Sequence, residues 1–196
     1  MSRIIAGRGK GRRLAAPRGL DTRPTGGRVK QTLFDILAPE LPGGRFLDAF
    51  AGAGGIGLEA LSRGASKVVL VDLGAAAVAA IRKNLQGLGD LGGDAQVLRQ
   101  DARVALPALA DAGHRFDVVY LDPPYESDLY VPLLEASERL LAERGVVVAE
   151  HFHKRVLPET IGPLVRTRSV RVGDHRLSFY RRHDPGTPSG PAGRQE

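Results

Sequence analysis

The stretch that says most about chemistry is residues 118–125, where the apolar run Val-Val-Tyr-Leu leads directly into Asp-Pro-Pro-Tyr. Two consecutive prolines, Pro123 and Pro124, remove two backbone donors and fix φ twice, so the chain leaves a buried-type strand rigidly. The Asp122 carboxylate and the Pro123 carbonyl are then acceptors close to the ring of Tyr125. This arrangement predicts a pocket for a planar amine. The structural alternative is a proline-stiffened turn with a capping Asp.

A glycine-rich segment between a strand pattern and a helix pattern predicts a second part of the site. Gly52, Gly54 and Gly57 satisfy the spacing G-x-G-x-x-G, in which the missing Cβ atoms let a ligand lie against the backbone at a helix N-terminus. At the end of the next strand pattern, Asp72 is placed to accept hydrogen bonds from ribose hydroxyls. The alternative is a flexible loop without a ligand. The strand pattern before the loop, the helix pattern after it and the position of Asp72 favour a nucleotide-like ligand.

Two cofactors fit a glycine-rich loop followed by an acid at the end of the next strand. A dinucleotide would place its pyrophosphate over the loop, whereas S-adenosylmethionine has no phosphate and carries a sulfonium and a free amino group. The additional acid Asp48, just before the loop, is a suitable partner for that amino group and favours S-adenosylmethionine. Asp101, directly after a further strand pattern, is either a partner for the adenine amino group or the N-cap of the following helix.

Composition excludes several classes of protein and site. The chain has 196 residues and no cysteine, which suits one domain with a small appendage and rules out disulfides, thiolate metal sites and cysteine nucleophiles. No apolar run is long enough for a signal peptide or a membrane span, so we expect a cytoplasmic protein with no membrane contact. His151 and His153 lie two residues apart without a third ligand nearby in sequence, so we predict no metal site.

Positive charge is concentrated at the N-terminus. Residues 1–30 hold nine basic side chains against one acid, a net of +8 in a chain whose total is +6. A disordered basic tail is one interpretation, but the two short segments around Gly9 match a hairpin, and a folded basic hairpin points to phosphate backbones. The RNA-binding residues predicted from this pattern are Arg3, Arg8, Lys10, Arg12, Arg13 and Arg28. The row Arg166, Arg168 and Arg171 is better interpreted as the solvated face of a strand.

Hydrophobic periodicity predicts alternating strands and helices, which imply a parallel sheet covered on both faces. The last two strand patterns are joined by a Gly-Asp turn and should close as an antiparallel hairpin. We predict a basic hairpin extension over residues 1–27, a main domain over 28–183 and a disordered tail over 184–196. The strand patterns cover 45–50, 67–72, 95–99, 116–121, 145–149, 164–172 and 175–182, and the helical patterns cover 28–37, 56–63, 75–88, 103–112 and 129–142.

These motifs together resemble a class I amino-group methyltransferase. The Asp-x-Phe-Ala-Gly-x-Gly loop at 48–54 and the Asp-Pro-Pro-Tyr at 122–125 carry that likeness, with the acids at 72 and 101. With Arg-Ile-Ile-Ala-Gly at 3–7, Arg-Pro-Thr at 23–25 and Arg-Val-Lys-Gln-Thr-Leu-Phe at 28–34, the chain is similar to the RsmD family of 16S ribosomal RNA guanine-N2 methyltransferases. The likeness covers residues 3–182.

The resemblance implies an α/β, Rossmann-like class I methyltransferase fold, with a mostly parallel seven-stranded sheet ending in an antiparallel hairpin and a small basic β-hairpin at the N-terminus. It also implies methyl transfer from S-adenosyl-L-methionine, leaving S-adenosyl-L-homocysteine, to the exocyclic N2 of guanine 966 in 16S rRNA. The expected enzyme is a monomer acting on an assembling small ribosomal subunit. The catalytic residues implied are Asp122, Pro123, Pro124 and Tyr125, and the cofactor-binding residues are Asp48, Phe50, Ala51, Gly52, Gly54, Asp72, Asp101, Ala102, Arg23 and Thr25.

Three positions depart from the family pattern. Gly26-Gly27 stands where an acid usually precedes the arginine, and Gln31 stands where a glutamate is usual. Asp72 replaces the more common Glu at the end of the second strand, and we expect its shorter side chain still to reach a ribose, if need be through water.

Three rival functions remain open on the sequence. An adenine N6 methyltransferase would use the same Asp-Pro-Pro-Tyr motif. A nicotinamide-dependent oxidoreductase would use the glycine loop and Asp72, but would leave Asp48, Asp122 and the basic N-terminus without a role. An RNA-binding module that has lost catalysis would keep the fold and the charge.

Overall fold

The computed structural model describes residues 3–16, 26–124 and 127–183, which form one sheet with helices on both faces. The strands are β1 (Arg45–Asp48), β2 (Lys67–Asp72), β3 (Asp94–Arg99), β4 (Phe116–Leu121), β5 (Leu141–Phe152), β6 (Thr160–Ile161), β7 (Leu164–Val172) and β8 (His175–Arg182). The helices are α1 (Gly27–Ile36), α2 (Gly57–Ser62), α3 (Ala75–Leu88), α4 (Ala102–Asp111) and α5 (Tyr130–Glu138), with a short 3-10 helix at Ala38–Glu40.

The strand order is β3-β2-β1-β4-β5-β8-β7-β6. β1 to β5 pair in parallel, whereas β8 runs antiparallel to β5 and β7 runs antiparallel to β8. The predicted α/β architecture with a terminal antiparallel hairpin is therefore confirmed. The sheet has eight strands rather than the predicted seven, because β6 is two residues long and such a segment leaves no period-two pattern in a sequence.

The central strands are buried on both faces, which explains their continuous apolar runs. In β4, Val118 and Tyr120 face a core that also contains residues of α1, α2 and α3. The alternate residues Val119 and Leu121 face a second core with α4 and α5. Because side chains alternate along a strand, each sheet face collects every second residue at the strand ends as well.

The connection from α5 to β5 differs from the sequence prediction. The apolar pattern predicts a helix through residue 142, but α5 ends at Glu138 and β5 begins at Leu141. Leu141 pairs with Phe116 of β4, and a register irregularity before Val118 follows. A short apolar run fits either period, so the pairing with β4 decides the strand.

The N-terminal segment turns back on itself and packs into the main core. Arg3 and Arg13 form an antiparallel bridge, and Ile4 N–H donates to the Arg12 carbonyl at 2.9 Å. Ile4 and Leu14 are both buried in the same cluster as α1 and β4. The basic residues of this segment therefore lie on two short stretches joined by a turn and one β-bridge, which we call the N-terminal strand pair (residues 3–16) and which its buried apolar residues anchor.

Glu59 of α2 is the polar anchor of that segment. Its buried carboxylate accepts from the backbone amides of Ile5 at 2.7 Å and Ala6 at 2.9 Å, and it pairs with Lys30 at 2.9 Å and Arg63 at 2.8 Å. Burial raises the pKa of Glu59, but the Ile5 amide and the two cations outweigh it, so the net pKa is lowered. Burial lowers the pKa of Lys30 more strongly than Glu59 raises it.

Lys30 links the N-terminal segment to the glycine-rich loop. Its ammonium donates to the carbonyls of Arg3 at 2.8 Å and Gly55 at 3.0 Å. Asn84 of α3 makes a similar bridge, because its amide nitrogen donates to the carbonyls of Ala15 at 3.1 Å and Ala53 at 2.9 Å. The sequence patterns predicted neither of these bridging roles.

The proposed division into an extension, a main domain and a tail stays a prediction. Residues 17–25 and 184–196 lie outside the described residues. Within the described part of the chain, no helix is long and apolar enough to cross a membrane.

Removing the Glu59 carboxylate should destabilise the protein strongly. Glu59→Ala leaves Lys30 buried without its anion, a change that costs about 3–5 kcal/mol in comparable buried pairs. Chemical denaturation should show this loss, whereas Glu135→Ala, which truncates an exposed acid of α5, should change the free energy of unfolding by less than about 0.5 kcal/mol. Equal stability of the two variants would contradict the anchoring role.

Candidate active site

The predicted site residues converge where the strand order reverses. Asp48 is the last residue of β1 and Asp122 directly follows β4, and these two strands are parallel neighbours. The carboxyl ends of both strands lie at the same edge of the sheet, at the point where the connections lead away in opposite directions. In open α/β sheets this crevice is where ligands bind.

Two glycines shape the loop between β1 and α2. Gly52 and Gly54 have φ of 55° and 82°, which favours residues without a Cβ. A Cβ on Gly54 would lie 2.9 Å from the Leu58 side chain, whereas a Cβ on Gly52 would meet nothing within 4 Å. The backbone at Gly52 therefore faces open space in which a ligand can lie.

Asp48 is buried, and only one of its oxygens has a hydrogen bond of normal geometry, although the Phe50 amide is near enough to oppose the rise of its pKa. Its Oδ2 accepts from the Gly57 amide at 2.9 Å, while no described residue makes a hydrogen bond of normal geometry to its Oδ1. Burial raises the pKa of Asp48 to about 7, the Gly57 amide opposes that rise, and the neighbouring Asp72 adds to it. A buried, unpaired carboxylate oxygen at this edge suits a cationic or hydrogen-bond-donating ligand.

Asp72 holds the loop from the adjacent strand. Its Oδ2 accepts from the Gly52 amide at 2.8 Å and its Oδ1 accepts from the Gly74 amide at 2.7 Å. Both oxygens keep a free lone pair, since a carboxylate oxygen accepts more than one hydrogen bond. The exposed side chain of Leu73 lies next to it in sequence, a large apolar surface that was not predicted as part of the site.

Asp122 stands among other acids. Its pKa is raised well above the ordinary range by burial first, and then by the carboxylates of Glu150 and Asp48. The neighbouring Pro123 carbonyl lies 3.3 Å from the Tyr130 hydroxyl, which is also 3.1 Å from the carbonyl of Glu150. Tyr130 thus ties the rigid Asp-Pro-Pro segment to the end of β5.

Glu150 of β5 is the centre of a buried hydrogen-bond network. One carboxylate oxygen accepts from the hydroxyl of Tyr120 in β4, and the other lies 2.6 Å from Nδ1 of His175 in β8. Tyr120 is fully buried, and its pKa is raised well above 10.0 by burial and then by the charges of Glu150 and Asp122. The network spans three adjacent strands beneath the Asp-Pro-Pro segment.

Asp101 has the capping role that the sequence left open. It is the N-cap of α4, where its side chain accepts from the Arg103 amide at 2.9 Å. The Arg103 guanidinium also binds it at 2.6 Å, and this hydrogen bond lowers the pKa of Asp101. Ala102 is buried directly behind it as the first residue of the helix. A contact of Asp101 with adenine stays a prediction.

The remaining predicted cofactor residues occupy the loop itself or lie outside the described residues. Ala51 is buried, and its amide donates to the Val71 carbonyl at 2.9 Å. Phe50 is half-buried against the core that contains α4. Arg23, Thr25 and the catalytic candidate Tyr125 fall outside the described part of the chain.

The predicted RNA-binding side chains are not equally available. Arg12 donates to the Leu88 carbonyl at the end of α3, and the Arg8 guanidinium packs closely against Gly92. Arg3, Lys10 and Arg13 are exposed on the N-terminal strand pair, and Arg28 is exposed at the start of α1. Of the row on β7, Arg166 is held by Glu159, and Arg168 and Arg171 are exposed.

The two histidines that invited a metal interpretation make other contacts. His151 Nε2 lies 2.9 Å from the Ser178 hydroxyl, and burial lowers the pKa of His151 to about 4. His153 Nδ1 lies 3.1 Å from the Asp174 carbonyl. Across residues 3–16, 26–124 and 127–183, no cluster of three metal-ligating side chains is present.

Sequence reasoning missed Glu150, Tyr130 and His175. Glu150 carried a partial signal, because it lies two residues after Val148 and so shares its sheet face, whereas the register of β4 with β5 puts Tyr120 on that face. The pairing of His175 with it depends on the antiparallel placement of β8 against β5, whereas the sequence pattern predicted only the hairpin of β7 and β8.

Most of the chain matches one protein family. Residues 2–181 match the family model described as Conserved hypothetical protein 95. The chain is 43% identical over 178 residues to Ribosomal RNA small subunit methyltransferase D of Haemophilus influenzae, covering 89% of this chain and 92% of the relative. It belongs to the RsmD family of methyltransferases.

Further comparisons agree with this membership. The chain is 38% identical over 187 residues to Ribosomal RNA small subunit methyltransferase D of Escherichia coli K12, covering 94% of this chain and 91% of the relative. A solved hypothetical protein of Thermus thermophilus superposes with a TM-score of 0.78 at 33% identity, covering 91% of this chain and 98% of the other. The predicted family and class I methyltransferase fold are confirmed.

The raised pKa of Asp48 should make the stability of this RsmD-family protein depend on pH. Because the folded state prefers the protonated form, Asp48 contributes stability that is full below the unfolded pKa of 3.8 and is lost as pH rises through about 7. Asp48→Asn removes the titration, so its stability relative to the wild type should rise by up to about 4 kcal/mol between pH 4 and pH 8.

Urea denaturation of the ligand-free protein at several pH values measures this difference. Asp94→Asn is the matched control, since Asp94 is exposed at the start of β3. A stability difference between Asp48→Asn and the wild type that stays constant with pH would show that Asp48 titrates normally.

Proposed function

We propose that this enzyme transfers a methyl group from S-adenosyl-L-methionine to the exocyclic N2 of guanine 966 in 16S rRNA. The observation that carries the proposal is the pairing of two features at one sheet edge. One is the glycine loop with the bare Asp48 oxygen, and the other is the rigid Asp122-Pro123 segment on the neighbouring strand. Relatives named as ribosomal RNA small subunit methyltransferase D support the substrate class.

The described residues fit S-adenosylmethionine. The bare Oδ1 of Asp48 is a partner for the ammonium group, the open face at Gly52 admits the ligand against the backbone, and Asp72 offers acceptors to the ribose. When bound, the cofactor supplies an electrophilic methyl group on a positively charged sulfur. Asp48 also argues against a dinucleotide, because a carboxylate beside the loop would repel a pyrophosphate.

Asp122 and Pro123 orient the amine. The lone pair of a guanine N2 is delocalised into the ring, so the enzyme must favour the pyramidal form that attacks. A carboxylate oxygen of Asp122 and the carbonyl of Pro123 accept the two N–H bonds and direct the lone pair towards the methyl group. The bound group would supply its methyl to this nitrogen and keep the electron pair of the carbon–sulfur bond, and the surplus proton on the nitrogen would pass to Asp122 or to water.

The target base must leave its stack to reach this edge of the sheet. We assign Tyr125 the stacking role, since aromatic stacking contributes about 1–3 kcal/mol per base and unstacking costs a similar amount. We assign the grip on the phosphate backbone to the exposed cations of the N-terminal strand pair and to Arg28. The enzyme would act as a cytoplasmic monomer, without a metal, on an assembling small subunit.

The decisive experiment is methyl transfer followed by mapping of the modified nucleotide. Purified protein, labelled S-adenosylmethionine and 16S rRNA from cells lacking the protein should give label at the N2 of guanine 966, either on naked RNA or on partly assembled subunits. Label on an adenine N6 would favour the adenine alternative. Absence of transfer to any of these substrates would favour an RNA-binding module without activity.

Asp122→Ala should abolish turnover but leave the affinity for the product S-adenosylhomocysteine nearly unchanged. Loss of the acceptor that orients the amine should lower kcat by about a hundred- to a thousandfold or more, whereas the Kd for S-adenosylhomocysteine should stay within about threefold of the wild type. Single-turnover methylation and calorimetric titration measure the two quantities. Asp94→Ala is the control, and a normal kcat in Asp122→Ala would refute the assignment.

Exposed cations of the N-terminal strand pair should contribute to RNA affinity through counterion release. Lys10→Gln and Arg13→Gln should each weaken RNA binding and reduce the slope of log K against log salt by about 0.7 for each phosphate that is no longer neutralised. Arg12→Gln should instead lower stability, because Arg12 caps α3. An unchanged salt slope in the Lys10/Arg13 double variant would show that this surface does not hold RNA.

A further inference from the structure

Three carboxylates line up on one face of the sheet beside the proposed methyl-transfer site. Val118 and Tyr120 face the same core as Phe46 and Val148, so the residues two positions on from Phe46, Tyr120 and Val148 share that face. These residues are Asp48, Asp122 and Glu150. They stand at or near the carboxyl ends of β1, β4 and β5, which are consecutive neighbours in the sheet.

Register places the three groups close together. Asp48 pairs with Tyr120, and the last pair between β4 and β5 joins Leu121 to Ala149, so Asp122 and Glu150 are the next residues along. Neighbouring strands lie about 4.8 Å apart. We name Asp48, Asp122 and Glu150 the acid row.

The acid row has one basic partner among the described ion pairs, the His175 ring at 2.6 Å from Glu150. Asp48 and Glu150 are 1% exposed, and no lysine or arginine lies within salt-bridge distance of any of the three in the described ranges. Glu150 has the Tyr120 hydroxyl and the His175 ring as partners. Asp72 adds a fourth carboxylate next to Asp48, and Arg28 lines a cavity of about 430 Å³ together with His175.

Buried like charges on adjacent strands repel one another, so some of them retain protons until a cation arrives. The raised pKa values of Asp48 and Asp122 agree with this reasoning. The position of Glu150 is informative, because the proposed contacts of the ammonium group and of the amine use Asp48 and Asp122 and leave Glu150 without a direct role.

We infer that Glu150 is a positioning residue that completes an acid row selective for the positively charged sulfonium of the methyl donor over the neutral sulfur of the product. The inference rests on the proposed function. Donor and product both carry the ammonium group, so its contact with Asp48 contributes equally to the two binding free energies and does not distinguish the ligands. Binding of the sulfonium favours the ionised forms of Asp48 and Asp122 and releases protons to solvent, and loss of the sulfonium charge after transfer weakens binding of the product.

Glu150→Gln tests the inference through binding rather than turnover. Removing one charge of the row should reduce the preference for S-adenosylmethionine over S-adenosylhomocysteine by about three- to tenfold, since a tenfold change corresponds to one pKa unit of interaction. Affinity for S-adenosylhomocysteine should change by less than about twofold. Glu143→Gln, an exposed acid on the same strand, should leave both affinities unchanged.

Titration calorimetry near pH 7, in buffers of different ionisation enthalpy, measures how many protons the protein releases when each ligand binds. Wild-type protein should release more protons on binding S-adenosylmethionine than on binding S-adenosylhomocysteine, and Glu150→Gln should reduce that difference. This first comparison needs no variant, so it remains decisive if Glu150→Gln fails to fold. Equal proton release for both ligands in the wild type, or an unchanged ligand preference in a folded Glu150→Gln, would overturn the inference.

The two proposals fail in different ways. Wild-type protein that binds neither ligand would overturn both the proposed function and the acid row. Wild-type protein that binds both ligands and methylates RNA, but discriminates between them equally well without Glu150, would overturn the acid row alone.

Discussion

Carboxylates that share one buried edge of a parallel sheet are the constraint on which the rest of this structure depends. Asp48 and Asp122 face the same side of neighbouring strands; Asp48 is buried and Asp122 is partly exposed, and the charges of Glu150 and Asp48 raise the pKa of Asp122 and with it the cost of ionisation. The fold tolerates this cost because each carboxylate is held by rigid backbone: Asp48 by the Gly57 amide, and Asp122 by the prolines that follow it. A cationic ligand at that edge would offset the repulsion, so the cost of burying these acids and their selectivity for a cation share one physical origin.

The basic N-terminal segment is joined to this edge through buried polar contacts. Lys30 donates both to the Arg3 carbonyl of the segment and to the glycine loop, and Asn84 of α3 makes the same kind of bridge to that loop. Glu59 neutralises Lys30 and binds the backbone of the segment. The surface that we assign to RNA is therefore built on the same polar contacts as the loop that we assign to the methyl donor.

Much of the architecture was predictable because periodicity and glycine spacing are local signals. The boundaries of β2, β4, β7, β8 and α3 match the sequence patterns, since each is bounded by turn residues or a clear change of period. The prediction was wrong for the end of α5, where a leucine-rich run fits both helix and strand. Whether Leu141 is helical depends on its pairing with Phe116 of β4, and no local signal carries that information.

The sequence by itself determined the fold class, the family, and the positions of Asp48, Asp72, the glycine loop and Asp122, because each follows a strand pattern at a fixed spacing. Only the tertiary structure decided that Asp72 binds two loop amides, that Asp101 caps α4, and that Glu150 binds Tyr120 and His175 on the sheet face that also carries Asp48 and Asp122. The reason is physical: which strands become neighbours sets which charges meet across a buried sheet face. Strand order arises from the packing of the whole chain, whereas spacing along the chain reveals only which residues share a face.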